Sequence, residues 1–96
     1  MQIDRATFKN SFAEVLRGDI RTENRPRQVP GYCYSPVAPT AVRDPHLLAW
    51  SDDLADLLGL ARPAGRGPAV DLLAGNLVTP TMKPFAARYG GHQFGS

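Results

Sequence analysis

Nine glycines and nine prolines stand among the 96 residues of this chain, well above the ~12% background for the two types together. Each proline removes a backbone donor and fixes φ, while each glycine gives up more conformational freedom on folding than any other residue. A chain punctuated in this way is built from short elements and many connections. Its 96 residues suit one small domain with a modest core, since domains run to about 50–250 residues. A multi-domain enzyme with its own substrate and cofactor lobes does not fit within this length.

Eleven basic against nine acidic residues leave a net charge of +2, too little for strong attachment to nucleic acid or to an anionic membrane. Neither partner is therefore expected. Cys33 is the single cysteine and has no intramolecular partner, which favours a reducing compartment, with cytoplasm as the default. Met1-Gln2-Ile3-Asp4-Arg5 carries no apolar leader pattern, and no stretch approaches the ~20 apolar residues of a membrane span. Secretion and membrane insertion are not expected.

Phe8, Phe12, Val15 and Leu16 recur at helical spacing, which predicts an amphipathic helix near 7–17, with Thr7 capping its start and Gly18 ending it. Residues 19–31 mix Asp19, Arg21, Glu23, Arg25, Arg27, Pro26, Pro30 and Gly31 without an apolar period, as in an exposed connection. Tyr32, Tyr34, Val37 and Val42 suit extended backbone, whereas Pro36 and Pro39 remove ladder donors; a short edge strand or polyproline-like arm fits this stretch. Asp44 as N-cap and Pro45 at the first position open a second helix near 44–58. Its stripe is Leu47, Trp50, Leu54, Leu57 and Leu58, its solvated face Asp52, Asp53 and Asp56, and its stop Gly59.

Residues 61–68, with Arg62, Pro63, Gly65, Arg66, Gly67 and Pro68, read as a loop tolerant of deletion or lengthening. Val70, Leu72 and Leu73 before Gly75 form a helix near 69–74. An irregular stretch with Pro80 and Pro84 follows, then a last helical turn near 84–89. Charge is segregated along the chain: residues 1–43 hold seven basic and four acidic groups, 44–61 four acidic and none basic, and 62–96 four basic and one acidic. The expected fold class is α+β, mostly short helices and loops with short extended segments.

Gly90-Gly91-His92-Gln93-Phe94-Gly95 is the most tempting site. Gly90 and Gly95 have the spacing of a phosphate loop, but Ser96 stands where that loop needs a lysine, and the dinucleotide fingerprint fails on glycine positions. Turn glycines are the plainer reading. His92 and His46 have no ligand or carboxylate beside them at metal spacing, and Cys33 builds no local cluster. Ser35, His92 and Asp71 can be assembled into a catalytic triad only on paper. Arg21, Arg25 and Arg27 with Tyr32 and Tyr34 have the composition of a small nucleic-acid contact, but Asp19 and Glu23 dilute it and a solvated loop is favoured. Trp50 reads as core.

The order of segments is more telling than any one of them. Asn10-Ser11-Phe12, Arg27-Gln28-Val29-Pro30-Gly31, Cys33-Tyr34-Ser35-Pro36-Val37-Ala38-Pro39-Thr40, Leu48-Ala49-Trp50-Ser51, Leu57-Leu58-Gly59-Leu60, Ala74-Gly75-Asn76 and Tyr89-Gly90-Gly91-His92-Gln93-Phe94-Gly95 together resemble the N-terminus of the selenoprotein O family. The resemblance covers nearly the whole chain, and its most specific piece is Gly90 to Gly95, of unknown role. It implies a kinase-like (pseudokinase) fold in which ATP, with Mg²⁺ or Mn²⁺, gives AMP rather than phosphate to Ser, Thr or Tyr hydroxyls of protein substrates. The family's Gly-Asp-Gly-Arg loop, strand lysine, catalytic Asp and metal-binding Asn and Asp come further downstream. No catalytic, nucleotide-binding or metal residue is thus assigned within 1–96, and this segment alone is expected to be inactive and to bind no metal or nucleotide. The family commonly has Arg at Pro36, Pro at Ala41 and Gly at Thr81; the first change removes a charge and a donor. The other reading is a stand-alone protein-interaction module, its Leu47/Trp50/Leu54/Leu57 face binding a partner, or an inactive remnant.

Overall fold

A computed structural model describes residues 1–19, 21 and 30–88. In chain order these form a 3-10 turn at Ile3–Arg5, helix α1 (Ser11–Val15), strand β1 (Tyr34–Pro36), helices α2 (Asp52–Leu58) and α3 (Pro68–Ala74), and strand β2 (Phe85–Ala87). The small α+β class is borne out. Two compact units divide the chain: Met1–Lys9 with Pro39–Met82, and Asn10–Ala38 with Lys83–Ser96.

In the first unit α3 is the element the sequence marks best. Pro68 occupies its first turn, where the missing N–H has no helical partner to lose. Gly75 closes it in the left-handed conformation, at φ 84°. The Gly75 N–H donates to Leu72 O at 3.1 Å and the Asn76 N–H to Asp71 O at 2.8 Å, the paired bonds of a Schellman stop. Gly75 has a second constraint, because a Cβ there would lie 3.0 Å from the Pro39 side chain. Ala69, Val70 and Leu72 are buried, together with Ala55 of α2. Small and branched aliphatic groups therefore make this core.

α2 begins later than the helix near 44–58 read from the sequence. Asp44 takes a positive φ of 45°, and its carboxylate bonds Arg66 instead of a helix N-terminus. The backbone then runs non-helically, with the Leu47 N–H donating to Gly65 O at 2.9 Å. Ser51 is the actual cap, its hydroxyl accepting from the Leu54 N–H at 3.3 Å, and Asp52 and Asp53 complement the positive helix start. Leu47 and Trp50 thus lie outside the helix and half-buried, so the stripe drawn through them does not exist as one face. Leu54, Leu57 and Leu58 do share a face but are exposed, while Ala55 is the residue that packs inward. Asp52, Asp53 and Asp56 are solvated as expected.

The 61–68 loop, expected to be free of the fold, is anchored to it. Pro63 is buried, the Ala61 N–H donates to Met1 O at 2.7 Å, Gln2 Nε2 donates to Arg62 O at 3.3 Å, and Arg66 pairs with Asp44. Nearby, the Asn76 side chain clamps the backbone of Val42 in both directions. Its Oδ1 accepts from the Val42 N–H at 2.7 Å and its Nδ2 donates to Val42 O at 2.8 Å. One amide side chain here replaces a strand partner for residues 34 positions away.

The second unit holds α1 and the two-stranded antiparallel sheet β1–β2, in which Tyr34 faces Ala87, Ser35 faces Ala86 and Pro36 faces Phe85. The turn near 84–89 is therefore a strand over its described part, and Tyr89 lies outside the described residues. Phe85-Ala86-Ala87 has no local preference strong enough to resist pairing with β1. Arg88 N–H donates to Cys33 O at 2.8 Å and Val37 N–H to Pro84 O at 3.3 Å. In an antiparallel ladder this puts Cys33, Ser35 and Val37 in the bonded pairs. The nitrogen of Pro36 points away from β2, and the strand tolerates it at no loss of a ladder bond.

α1 covers only Ser11–Val15 of the predicted 7–17 helix. Asn10, not Thr7, precedes it, in the left-handed conformation at φ 56°. Gly18 does not end it; Leu16 is already extended. Beyond it the Cys33 N–H donates to Arg17 O at 2.7 Å and the Asp19 N–H to Tyr34 O at 2.8 Å. These bonds draw residues 17–19 alongside β1, and pairing overrides the helical period. Val15 and Leu16 are exposed in consequence.

Candidate functional site

The best-formed feature of the second unit is an aromatic cluster on one face of its sheet. Tyr34 on β1 and Phe85 on β2 meet Phe12 of α1: Phe12 and Phe85 stack with centroids 4.9 Å apart, and Tyr34 lies tilted 5.9 Å from Phe12 and 5.3 Å from Phe85. Such pairs add ~0.5–1.5 kcal/mol each beyond area burial. The Tyr34 hydroxyl donates to Ala13 O at 2.7 Å. The ring passes so close to Gly18 that a Cβ there would stand 2.3 Å from its Cζ. A side chain at position 18 and this placement of Tyr34 exclude each other.

Beside the cluster Ala13, Tyr34, Pro36, Val37, Pro84 and Phe85 line an apolar cleft of about 430 Å³. Lys83 lies at the cleft and forms an ion pair with Glu14. Its backbone N–H donates to Asn10 Oδ1 at 3.1 Å. The cleft can take an apolar or aromatic group. It offers no nucleophile with a base beside it and no row of donors for phosphate.

On the opposite face of β1 the Ser35 hydroxyl lies 3.4 Å from Asp19 Oδ2, and the Arg21 N–H donates to Asp19 Oδ1 at 3.0 Å. Asp19 is 7% exposed. A carboxylate so enclosed needs donors, and the Ser35 hydroxyl and the Arg21 amide are two of them. Ser35 is thus engaged by the Asp19 carboxylate, Asp71 belongs to α3 of the first unit, and His92 lies outside the described residues.

His46 is exposed and Cys33 half-buried with a free thiol. Among the described residues no three His, Cys, Asp or Glu are grouped to hold a metal ion. Tyr32 lies under the Arg17 guanidinium, 5.3 Å from its ring centroid, and Tyr34 is committed to the aromatic cluster. Arg25, Arg27 and the whole Gly90–Gly95 signature fall outside the described residues. Trp50 is half-buried, with a buried indole N–H that has no partner among the described residues. In the first unit Arg66 holds the Asp44 carboxyl below its ordinary range, and Asp44 raises Arg66 in turn. Both groups are exposed, so the pair is screened and orders the loop more than it stabilises the fold.

Sequence reasoning missed Asp19 and the Asn76 clamp as structural anchors. Asn76 was visible in the Ala74-Gly75-Asn76 segment, and its place directly after a helix-stopping glycine is the available signal.

Comparison with known proteins bears out the resemblance: this chain is homologous to protein nucleotidyltransferases of the selenoprotein O family. The relatives are named protein nucleotidyltransferase YdiU. That of Nitrosospira multiformis is 56% identical over 91 residues, which are 94% of this chain and 16% of the relative. Those of Cytophaga hutchinsonii and Methylobacillus flagellatus are 48% identical over 94 residues and 52% over 90, covering 98% and 93% of this chain. The chain spans less than a fifth of the length of these relatives, 16–18%. No family model and no solved structure matches it. No described helix is long and apolar enough to cross a membrane.

Proposed function

We propose that this chain is the N-terminal segment of a kinase-like protein adenylyltransferase, an enzyme that moves AMP from ATP to Ser, Thr or Tyr hydroxyls of protein substrates in the cytoplasm. The observation that carries the reading is the 56% identity over 91 residues with a nucleotidyltransferase of which those residues are only 16%. The reaction requires charge to be stabilised as a hydroxyl attacks the α-phosphate and pyrophosphate leaves, a task for cationic groups and Mg²⁺ or Mn²⁺. Among the described residues no cluster of His, Cys, Asp or Glu fits a divalent ion. This chain's part is architectural: an aliphatic unit whose two helices end at glycine stops, and a unit with a short antiparallel sheet.

The test is mass spectrometry of candidate substrate proteins after incubation of the full-length gene product with ATP and Mg²⁺ or Mn²⁺. A mass increment of one AMP on a hydroxyl residue is the expected result. A phosphate increment would make the enzyme a kinase, and no increment on any protein, itself included, would remove the reading.

A further inference from the structure

We propose that the leucine face of α2 is a docking surface for polypeptide continuous with this chain, namely the portion that the longer relatives carry outside the homologous segment. The proposal rests on the reading of this chain as part of a longer enzyme. At 100° per residue Leu54, Leu57 and Leu58 gather within one ~100° sector of α2, Asp52, Asp53 and Asp56 within another, and Ala55 lies between their edges. The helix uses the Ala55 edge for its own unit. Leu54, Leu57 and Leu58 are left 55%, 84% and 61% exposed.

Scattered exposed leucines are ordinary, whereas these three lie together on one face of a seven-residue helix. Two observations select the occupant. The nucleotidyltransferase relatives have more than four-fifths of their length outside the matched segment, since that segment is 16–18% of each. Three leucines also fall well short of the ~800 Å² per partner, some 20–30 residues a side, that a separate protein or second copy needs for stable association. A tethered surface has no such requirement, because its effective concentration reaches about the millimolar range. The occupant is an apolar surface of the same polypeptide, and Asp53, which borders the face beside Leu57, favours a basic group at that edge.

The test compares two single cysteines on α2, Leu57→Cys and Asp53→Cys, each in a Cys33→Ser background of the full-length gene product. Maleimide labelling is followed by peptide mass spectrometry, with rates normalised to those in guanidinium. Leu57→Cys is expected to react at least tenfold more slowly than Asp53→Cys. Equal rates overturn the proposal, whether the surface is open or the gene product ends at Ser96. Protection that fades on dilution, or that persists in the 96-residue chain alone, places the occupant in a second copy or within this chain and overturns it too. AMP transfer by the same wild-type protein is read separately. Protection without transfer removes the enzymatic reading and keeps the docking surface, and transfer without protection does the reverse.

Discussion

The two units are held together by different physics. The Met1–Lys9/Pro39–Met82 unit buries small and branched aliphatic groups, Ala55, Ala69, Val70 and Leu72, and ends both its helices with left-handed glycines, Gly59 and Gly75. The Asn10–Ala38/Lys83–Ser96 unit has one buried residue among those described, the carboxylate-bearing Asp19, and relies on aromatic contact and strand pairing. An aliphatic core gains from area removed from water, and its cost of mutation follows the cavity left behind. A tyrosine packed against a glycine gains from fit, and its cost follows steric exclusion. The first kind of order is written in helix caps and apolar spacing, the second in which residues meet across the chain.

Five substitutions sharpen or break that contrast. Leu72→Ala empties the aliphatic core and is expected to cost about 3 kcal/mol, whereas Leu57→Ala on the exposed face of the 96-residue chain changes stability by less than ~0.5 kcal/mol. Denaturant melts of both variants check this, and equal effects would mean that burial does not organise the first unit. Gly18→Ala is expected to cost about 2 kcal/mol by forcing the Tyr34 ring away, with loss of near-ultraviolet tyrosine dichroism. An unchanged spectrum would show that fit at Gly18 is not what holds the second unit.

Asn76→Ala removes both bonds to Val42 and is expected to cost about 1–2 kcal/mol, read as faster hydrogen exchange at the Val42 amide. Smallest of all is the pH effect of Asp44. Its carboxyl is lowered by Arg66 in the folded chain, so its contribution is present above the unfolded value near 3.8 and is lost as pH falls through the lowered one. Because the pair is exposed, Asp44→Asn is expected to alter acid unfolding only slightly, and not at all in high salt. A large salt-resistant effect would give the first unit an electrostatic support that the contrast denies it.

What could be read from the sequence divides along the same line. α3 was legible because Pro68 and Gly75 act locally, and the extended character of Tyr34 survived in β1. Ser51-Asp52-Asp53 carried an N-cap signal as clear as that of Asp44, but Pro45 drew the helix start seven residues too early. The fate of Phe85–Ala87 was decided by β1, about fifty positions away, and no local period reports such a partner. The exposed Leu54, Leu57 and Leu58 mislead for a related reason: periodicity shows that a face is apolar and not where its partner lies. Of the candidate site, the order of motifs identified the relatives correctly, while Gly90–Gly95 falls outside the described residues. Asp19 and Asn76 act through backbone groups that sequence spacing does not connect.

The central claim is that these 96 residues are scaffold for an enzyme whose chemistry is carried by other residues. Transfer of label from α-labelled ATP to protein, measured side by side for the full-length gene product and for the 96-residue chain, tests it most directly. The expected result is incorporation by the gene product and none by the 96-residue chain. Incorporation by the 96-residue chain itself, or by neither, would contradict the account.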